Sequence, residues 1–265
     1  MRSYGICCKE KIDMNAIILA AGEGTRLRPE TISIPKGMVK LFDKSLLEMQ
    51  IDVFKKCSIN DISIVTGYLA DKITFPSINY FKNENFSSTA GNESIFCAKE
   101  KLQDCTIITY GDLVFEKTVI DQVIDFKGDI GIAVELDWKP HYDGRTLHPM
   151  SEADNVLFDK EGNILEIRKN IQKPDSKIGE FAGIVKLSKK GSNILSKKLN
   201  ELHALINQGL GSEAEAFNIK QSAIPDMIQE LIDSEINVEP IYVSGKWCEI
   251  DTPQDLEIAQ IIFEE

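Results

Sequence analysis

Apolar and polar positions alternate between two rhythms along this chain. Met14 to Ala20 is an apolar run, the pattern of a strand covered on both faces. From Ser45 to about Cys57 the period changes to helical. Leu46, Met49, Val53 and Phe54 form a stripe, and Ser45 with Glu48 makes a capping box. Strands are predicted again over Asp61 to Thr66, Cys105 to Tyr110 and Asp129 to Leu136. Helices are predicted between them, over about Asn92 to Leu102 and Thr118 to Phe126. Such alternation implies parallel pairing in a three-layer α/β sheet.

The second half reads differently. Val156 to Phe158 and Ile164 to Ile167 flank Asp159-Lys160-Glu161-Gly162-Asn163, a hairpin signal. Helices follow over Ser188 to Asn207 and Ser222 to Ile232, then strands over Val238 to Val243 and Lys246 to Ile250. Thr252 caps a last helix, with Pro253 in its first turn and Asp255 favouring its positive end. The expected fold is α/β, a three-layer Rossmann-like mixed, mostly parallel sheet with a small hairpin and helical lobe over its carboxyl edge. The expected organisation is an N-terminal extension, 1–13, and one domain, 14–265. That domain divides into a first half (14–136), a second lobe (137–245) and a closing strand and helix (246–265).

The most specific chemistry follows the first strand. Leu19-Ala20-Ala21-Gly22-Glu23-Gly24-Thr25-Arg26-Leu27-Arg28-Pro29-Glu30-Thr31 runs on to Pro35-Lys36. Two glycines allow the main chain to approach phosphate oxygens. Arg26 offers a two-donor grip and Lys36 a mobile point charge. A Walker loop requires Gly-Lys-Ser/Thr, and Thr25-Arg26 stand there instead. A dinucleotide fingerprint requires a third glycine where the chain has Leu27. An ordinary β–α turn with surface cations explains the two glycines alone, and does not explain the full run.

The run resembles the signature L-A-A-G-x-G-T-R-L-x-P-x-T-x-x-x-P-K of nucleotidyltransferases that make sugar nucleotides and CDP-linked headgroups. Every defined position is matched. Val65-Thr66-Gly67-Tyr68, Tyr110-Gly111-Asp112 and Trp247-Cys248-Glu249-Ile250-Asp251-Thr252-Pro253 extend the likeness over about residues 14 to 262. The resemblance implies transfer of a nucleotidyl group: an acceptor oxygen attacks the α-phosphorus of a nucleoside triphosphate and pyrophosphate leaves. A phosphate or phosphonate nucleophile is already anionic, so positioning and charge neutralisation do the catalysis. The family likeness places the nucleotide on Leu19, Ala20, Ala21, Gly22, Glu23, Gly24, Thr25, Arg26, Gly67 and Asp112. It makes Arg26, Lys36 and Asp112 catalytic.

Magnesium takes hard oxygen ligands. Asp112, at a strand end, and Glu249 with Asp251 are the expected set; two residues apart in an extended segment, Glu249 and Asp251 share a face. A turn aspartate and helix capping are the bland readings of these carboxylates. The Glu-x-Asp form is similar to that of cytidylyltransferases activating phosphocholine, phosphonates or phosphoglutamine. For the acceptor, the likeness points to Lys169, with a solvated lysine as the alternative. Glu180 faces the acceptor's polar end or is a simple edge-strand charge. Arg145 and His148, with Tyr142, close over a small anion or belong to an ordinary loop. Family Asn residues before the helix near residue 94 are replaced by Ala90-Gly91. The expected activity is therefore CMP transfer from CTP to 2-aminoethylphosphonate, 2-hydroxyethylphosphonate or phosphocholine. A hexose-1-phosphate nucleotidyltransferase and an inactive nucleotide-sensing relative are the rivals.

Composition narrows the partners. The net charge of −12 over 265 residues leaves no basic stripe for a nucleic-acid polymer. No apolar run approaches a membrane span, and no signal-peptide core stands at the N-terminus. Cys7, Cys8, Cys57, Cys97, Cys105 and Cys248 lack metal spacing and read as reduced thiols of a cytoplasmic protein. A homo-oligomer is compatible with all of this.

Overall fold

The computed structural model describes residues 13–207 and 220–264. The expected N-terminal extension, with Cys7 and Cys8, lies outside the described residues apart from exposed Asp13. In chain order the strands and helices begin with β1 (Met14–Ala20), β2 (Lys40–Leu41), β3 (Lys44–Ser45), α1 (Leu46–Lys56), β4 (Asp61–Thr66) and β5 (Asn79–Lys82). Next come α2 (Gly91–Cys97), β6 (Cys105–Tyr110), β7 (Leu113–Phe115), α3 (Lys117–Asp125) and β8 (Ile130–Glu135). The second half holds β9 (Asp154–Phe158), β10 (Ile164–Lys169), β11 (Ile178–Leu187), α4 (Lys189–Asn207) and α5 (Ile224–Asp233). It closes with β12 (Glu239–Tyr242), β13 (Trp247–Glu249) and α6 (Pro253–Glu264).

Strand β1 shows why the sheet has a layer on each side. Successive side chains of a strand point to opposite faces. Ile17 and Leu19 pack with Ile95, Leu195, Leu199, Met227 and Leu231, from α2, α4 and α5. Ala16 and Ile18 pack with Leu47, Phe54, Val119, Ile120 and Val123, from α1 and α3. An apolar run is required when both faces are covered.

The main sheet has nine strands, with β10-β9-β11-β6-β1-β4-β5 in a row and β8 joined to β11 and β12. Pairing is parallel for β1 with β4 and β6, and antiparallel around β11. The β9–β10 hairpin extends this sheet through β11, instead of standing as a separate lobe over the carboxyl edge. The physical reason is β11 itself: nine of its ten residues are buried, and its backbone pairs on both sides. Its register shifts between Phe181 and Val185, where Gly183 takes φ +71°. Helix α2 stops at Cys97, short of the expected Leu102. There Ala98 N–H donates to Ile95 O at 3.0 Å, a tighter three-residue turn, and a 3₁₀ segment continues to Lys101. No helix among the described residues is long and apolar enough to cross a membrane.

Candidate active site

Three segments converge at the carboxyl ends of β1, β4 and β6, where ligands bind in open α/β sheets. Their seams are backbone hydrogen bonds. Gly111 N–H donates to Leu19 O at 2.8 Å, and Tyr68 N–H to Ala21 O at 2.9 Å. These bonds put the glycine loop beside both Gly67 and the Asp112 turn. Close packing makes Gly67 and Gly111 obligatory: an added Cβ would stand 2.6 Å from Ala21 O at Gly67, and 2.9 Å from Ala20 Cβ at Gly111.

Gly24 takes φ +61°, and a Cβ there would meet Lys36 Cβ at 2.8 Å. The loop thus folds back so that the Lys36 stem lies across Gly24. Thr31 Oγ1 donates to Gly24 O at 2.8 Å and closes the turn. A Cβ on Gly22, by contrast, would meet open space. Glu23 faces outward toward Arg28, 3.5 Å away.

The distant Glu249–Asp251 segment arrives by strand pairing. β13 pairs antiparallel with β7, setting Glu249 opposite Leu113, and Ile250 N–H donates to Asp112 O at 3.1 Å. Lys36 then bridges the two ends. Its Nζ donates to Asp112 Oδ2 at 2.6 Å and also to Asp251 Oδ1. Arg26, half-exposed, donates to Asp251 Oδ2 at 2.6 Å. Burial works against the Lys36 charge, but Asp112, Asp251 and Glu249 outweigh it and raise its pKa above the ordinary lysine value. Burial, then Asp251 and Asp112, push the Glu249 carboxyl well above the carboxylate range. Burial opposes ionisation of Asp251 too, yet Lys36 and Arg26 hold it below its usual value. Asp251 is therefore held ionised and paired with the two cations, while Thr252 and Asp255 cap α6: Asp255 N–H donates to Thr252 Oγ1 at 3.3 Å.

These carboxylates fit a hard divalent cation. Asp112 Oδ1 is buried and has no hydrogen-bond partner among the described residues. Glu249 and Asp251 also stand, with His148, in a group whose ligand atoms lie within 4.8 Å of one another. His148 Nδ1, however, is nearer to Asp255 Oδ2, at 3.3 Å, than to Asp251 Oδ2, at 4.0 Å.

The acceptor-side expectations separate. Lys169 ends β10, donates to Glu152 at 2.7 Å and is close enough to Arg26 to feel its charge. Behind it, burial raises the Asp154 carboxyl to about 6 against the pull of Lys169. Glu180 is buried on β11 and accepts from the Tyr142 hydroxyl. Burial raises Glu180 to about 8, although Tyr142 and Arg145 favour its charged form. Glu180 and Tyr142 line a cavity of about 20 Å³ together with His141, Arg145, Trp247 and Glu249. Trp247 Nε1 donates to Glu135 Oε2 at 2.6 Å on its border. Arg145 and His148 are buried and turned inward, onto Asp255.

Two residues with structural roles in the site escaped the sequence reading. Gln50, buried on α1, donates to Tyr110 O at 2.9 Å and Leu113 O at 2.8 Å, and accepts from Thr109 Oγ1 at 2.9 Å. It clamps both sides of the Asp112 turn. The signal was a glutamine inside the apolar stripe of a helix. Asp255 was read only as a charge at a helix start.

A mixed α/β sheet carrying a glycine loop, a cation pair and a carboxylate ribbon at one strand edge defines the nucleotidyltransferase class. The chain belongs to the MobA-like NTP transferase family, whose domain profile matches residues 16–161. It is 29% identical over 256 residues to the CTP:phosphoglutamine cytidylyltransferase of Campylobacter jejuni, covering 92% of this chain and 98% of that one. It is 37% identical to the choline-phosphate cytidylyltransferase of Streptococcus pneumoniae over 107 residues, 39% of this chain and 47% of the relative. The solved structure of CTP:phosphocholine cytidylyltransferase from Streptococcus pneumoniae shares the fold with a TM-score of 0.66. That match has 23% identity and covers 95% of this chain and 99% of that one.

Proposed function

We propose that the chain is a magnesium-dependent cytidylyltransferase that moves CMP from CTP to a small phosphonate or phosphomonoester bearing an ammonium group. The observation that carries the reading is the clasp of Lys36 by Asp112 and Asp251, with Arg26 on the same aspartate and Glu249 beside them. Cations for a polyphosphate and hard oxygens for a metal share one point at the carboxyl edge of the sheet. The similarity to the Campylobacter jejuni phosphoglutamine enzyme, which runs nearly end to end, supports CTP as donor.

Within this reading the loop Leu19 to Arg26 and Gly67 hold the nucleotide. Gly22 suits a close backbone approach, since its own fold leaves space where a side chain would stand. Asp112, Glu249 and Asp251 would hold the magnesium, which neutralises triphosphate charge and orients it when bound. Lys36 and Arg26 leave their aspartates for phosphate oxygens, taking up charge that builds on the leaving pyrophosphate. The acceptor phosphate needs no base; Lys169, at the site's rim, draws it in line with the α-phosphorus. Glu180, with Tyr142, Trp247 and Glu135 around it, offers a carboxylate and aromatic faces to an ammonium group. That wall, on a cavity of about 20 Å³, has room for the small ammonium of 2-aminoethylphosphonate, whereas the trimethylammonium of phosphocholine requires the wall to open.

A pyrophosphate-release panel tests it: CTP, UTP, GTP and dTTP against phosphocholine, 2-aminoethylphosphonate, 2-hydroxyethylphosphonate and glucose 1-phosphate. CTP with an ammonium-bearing acceptor is expected to react fastest. Turnover with glucose 1-phosphate alone overturns the reading.

A further inference from the structure

Asp255 sits in the first turn of α6 with no exposed surface, and both its oxygens are fully engaged. Oδ2 accepts from the backbone N–H of Asp251 at 3.1 Å, from that of Thr252 at 2.8 Å and from the Thr252 hydroxyl at 2.9 Å. The same oxygen stands 3.3 Å from His148 Nδ1. Oδ1 takes Arg145 Nε at 3.0 Å and its terminal nitrogen at 2.9 Å. Capping α6 requires only the Thr252 contacts. The remaining partners belong to two other parts of the site.

One is the carboxylate segment: Asp251 through its own N–H, and Glu249 through its carbonyl, which accepts from Arg145 at 3.4 Å. The other is the arc 144–148. Neighbouring Gln254 stitches that arc down, accepting from Thr146 N–H at 2.9 Å and Leu147 N–H at 3.2 Å, and donating to Gly144 O at 2.9 Å. Arg145 in turn lies over the Tyr142 ring at 5.0 Å. A chain of contacts thus runs from the carboxylates, through Asp255 and Arg145, to the Tyr142–Glu180 wall. The side chains of Arg145 and His148 are only 5% and 3% exposed, so the guanidinium and the imidazole are engaged inside the protein, on Asp255.

We infer that Asp255 is a positioning residue that locks the Glu249–Asp251 segment to the 144–148 arc, so that the metal-binding carboxylates and the acceptor wall keep one relative geometry. This inference rests on the metal site proposed above. Asp255→Asn tests it, because an amide retains one acceptor oxygen for the backbone N–H groups but turns a donor toward Arg145 or His148. Three measurements are made on the full chain. They are Mn²⁺ affinity by electron paramagnetic resonance, amide hydrogen exchange, and steady-state pyrophosphate release.

Mn²⁺ affinity and kcat are each expected to fall about tenfold, while KM for CTP stays within about threefold. Exchange should accelerate across 144–148 and not in β1 or β4. Parental Mn²⁺ affinity with parental exchange at 144–148 overturns the role. So does faster exchange spread evenly over the whole chain, which marks mere destabilisation. If Asp255→Asn does not fold, Arg145→Met cuts one arm only and is expected to produce the same pattern. Where both fold, the double variant should cost no more than Asp255→Asn alone; additive losses overturn the shared path. The Mn²⁺ and exchange measurements need no turnover. A parent that binds Mn²⁺ but transfers no CMP therefore refutes the proposed activity and leaves the Asp255 result standing.

Discussion

Glu180→Gln keeps the shape of the side chain and an oxygen for the Tyr142 hydroxyl, and removes the capacity to ionise. Burial lifts this carboxyl from an ordinary 4.5 to about 8, with Glu135 and Asp154 adding to the rise and Tyr142 and Arg145 opposing it. At pH 7 it is therefore mainly protonated, and ionising it costs about 1.4 kcal/mol, the free energy of one pH interval. An ammonium-bearing acceptor takes the carboxylate form, so it must supply that amount at pH 7 and almost none above pH 8. kcat/KM for such an acceptor is expected to climb about tenfold between pH 7 and pH 9. The second ionisation of a phosphate, near about 6, is largely complete before that window opens. In the Gln variant the climb should vanish, and kcat/KM at pH 9 should fall about 10- to 100-fold, the worth of one charge-assisted interaction. Stability moves the opposite way. A folded-state value raised above 4.5 contributes stability that is complete below 4.5 and lost as pH rises through about 8. The variant should thus be the more stable protein at pH 9, with the gap closing toward acid. Denaturant melts and pH–rate profiles on both proteins read this out. The same rise in both profiles, or parental kcat/KM in the variant at pH 9, refutes the cationic-acceptor argument.

Lys36→Ala is expected to lower pyrophosphate release about 100-fold or more while circular dichroism stays unchanged; near-normal release removes Lys36 from the chemistry. Asp112→Asn should lower the rate and raise the magnesium concentration for half-maximal activity together, and an unchanged magnesium titration shows that Asp112 is not a ligand. Gln50→Leu removes two hydrogen bonds to backbone carbonyls and one from a buried hydroxyl, each worth about 1 kcal/mol net, so thermal unfolding should fall by several degrees. An unshifted melting curve means that the Asp112 turn does not depend on this clamp.

The elements that were legible in the chain are those whose pattern has one cause. β1 is apolar except for Asn15 because helices cover both its faces, and α1 shows its stripe and its Ser45 cap because one face meets the sheet. β11 was read only as an edge strand at Glu180, and its place inside the sheet escaped because its burial has several causes at once. It carries Glu180, Gly179, Gly183 and Lys186 inside a buried strand, each answering a different neighbour: Tyr142, Val134, Leu113 and Tyr110, and the Phe126 carbonyl. No two-residue alternation survives that. The hairpin next to it was recognised from its turn, but its place in the sheet depended on the missed strand.

The site divides along the same line. Gly22 to Lys36 could be read as one unit because its glycines and cations lie in one continuous loop, residue types that suit a phosphate. Glu249 and Asp251 were legible as a pair sharing one face, but not as partners of Lys36, from which Asp251 lies 215 positions away in the chain. The partner of Arg145 and His148 was hidden for a related reason. A side chain in a polar loop looks available until its partner is known, and theirs is Asp255, 110 and 107 positions further on. Local chemistry therefore reveals which groups a site needs. Whether a given charge is spent on a ligand or on the protein is decided by pairings across the sheet edge. In this chain those pairings set Lys36 and Arg26 on Asp112 and Asp251 at the sheet edge and bury Arg145 and His148 on Asp255. Under the proposed function the side chains that move during turnover should be the former pair, and the latter should stay in place.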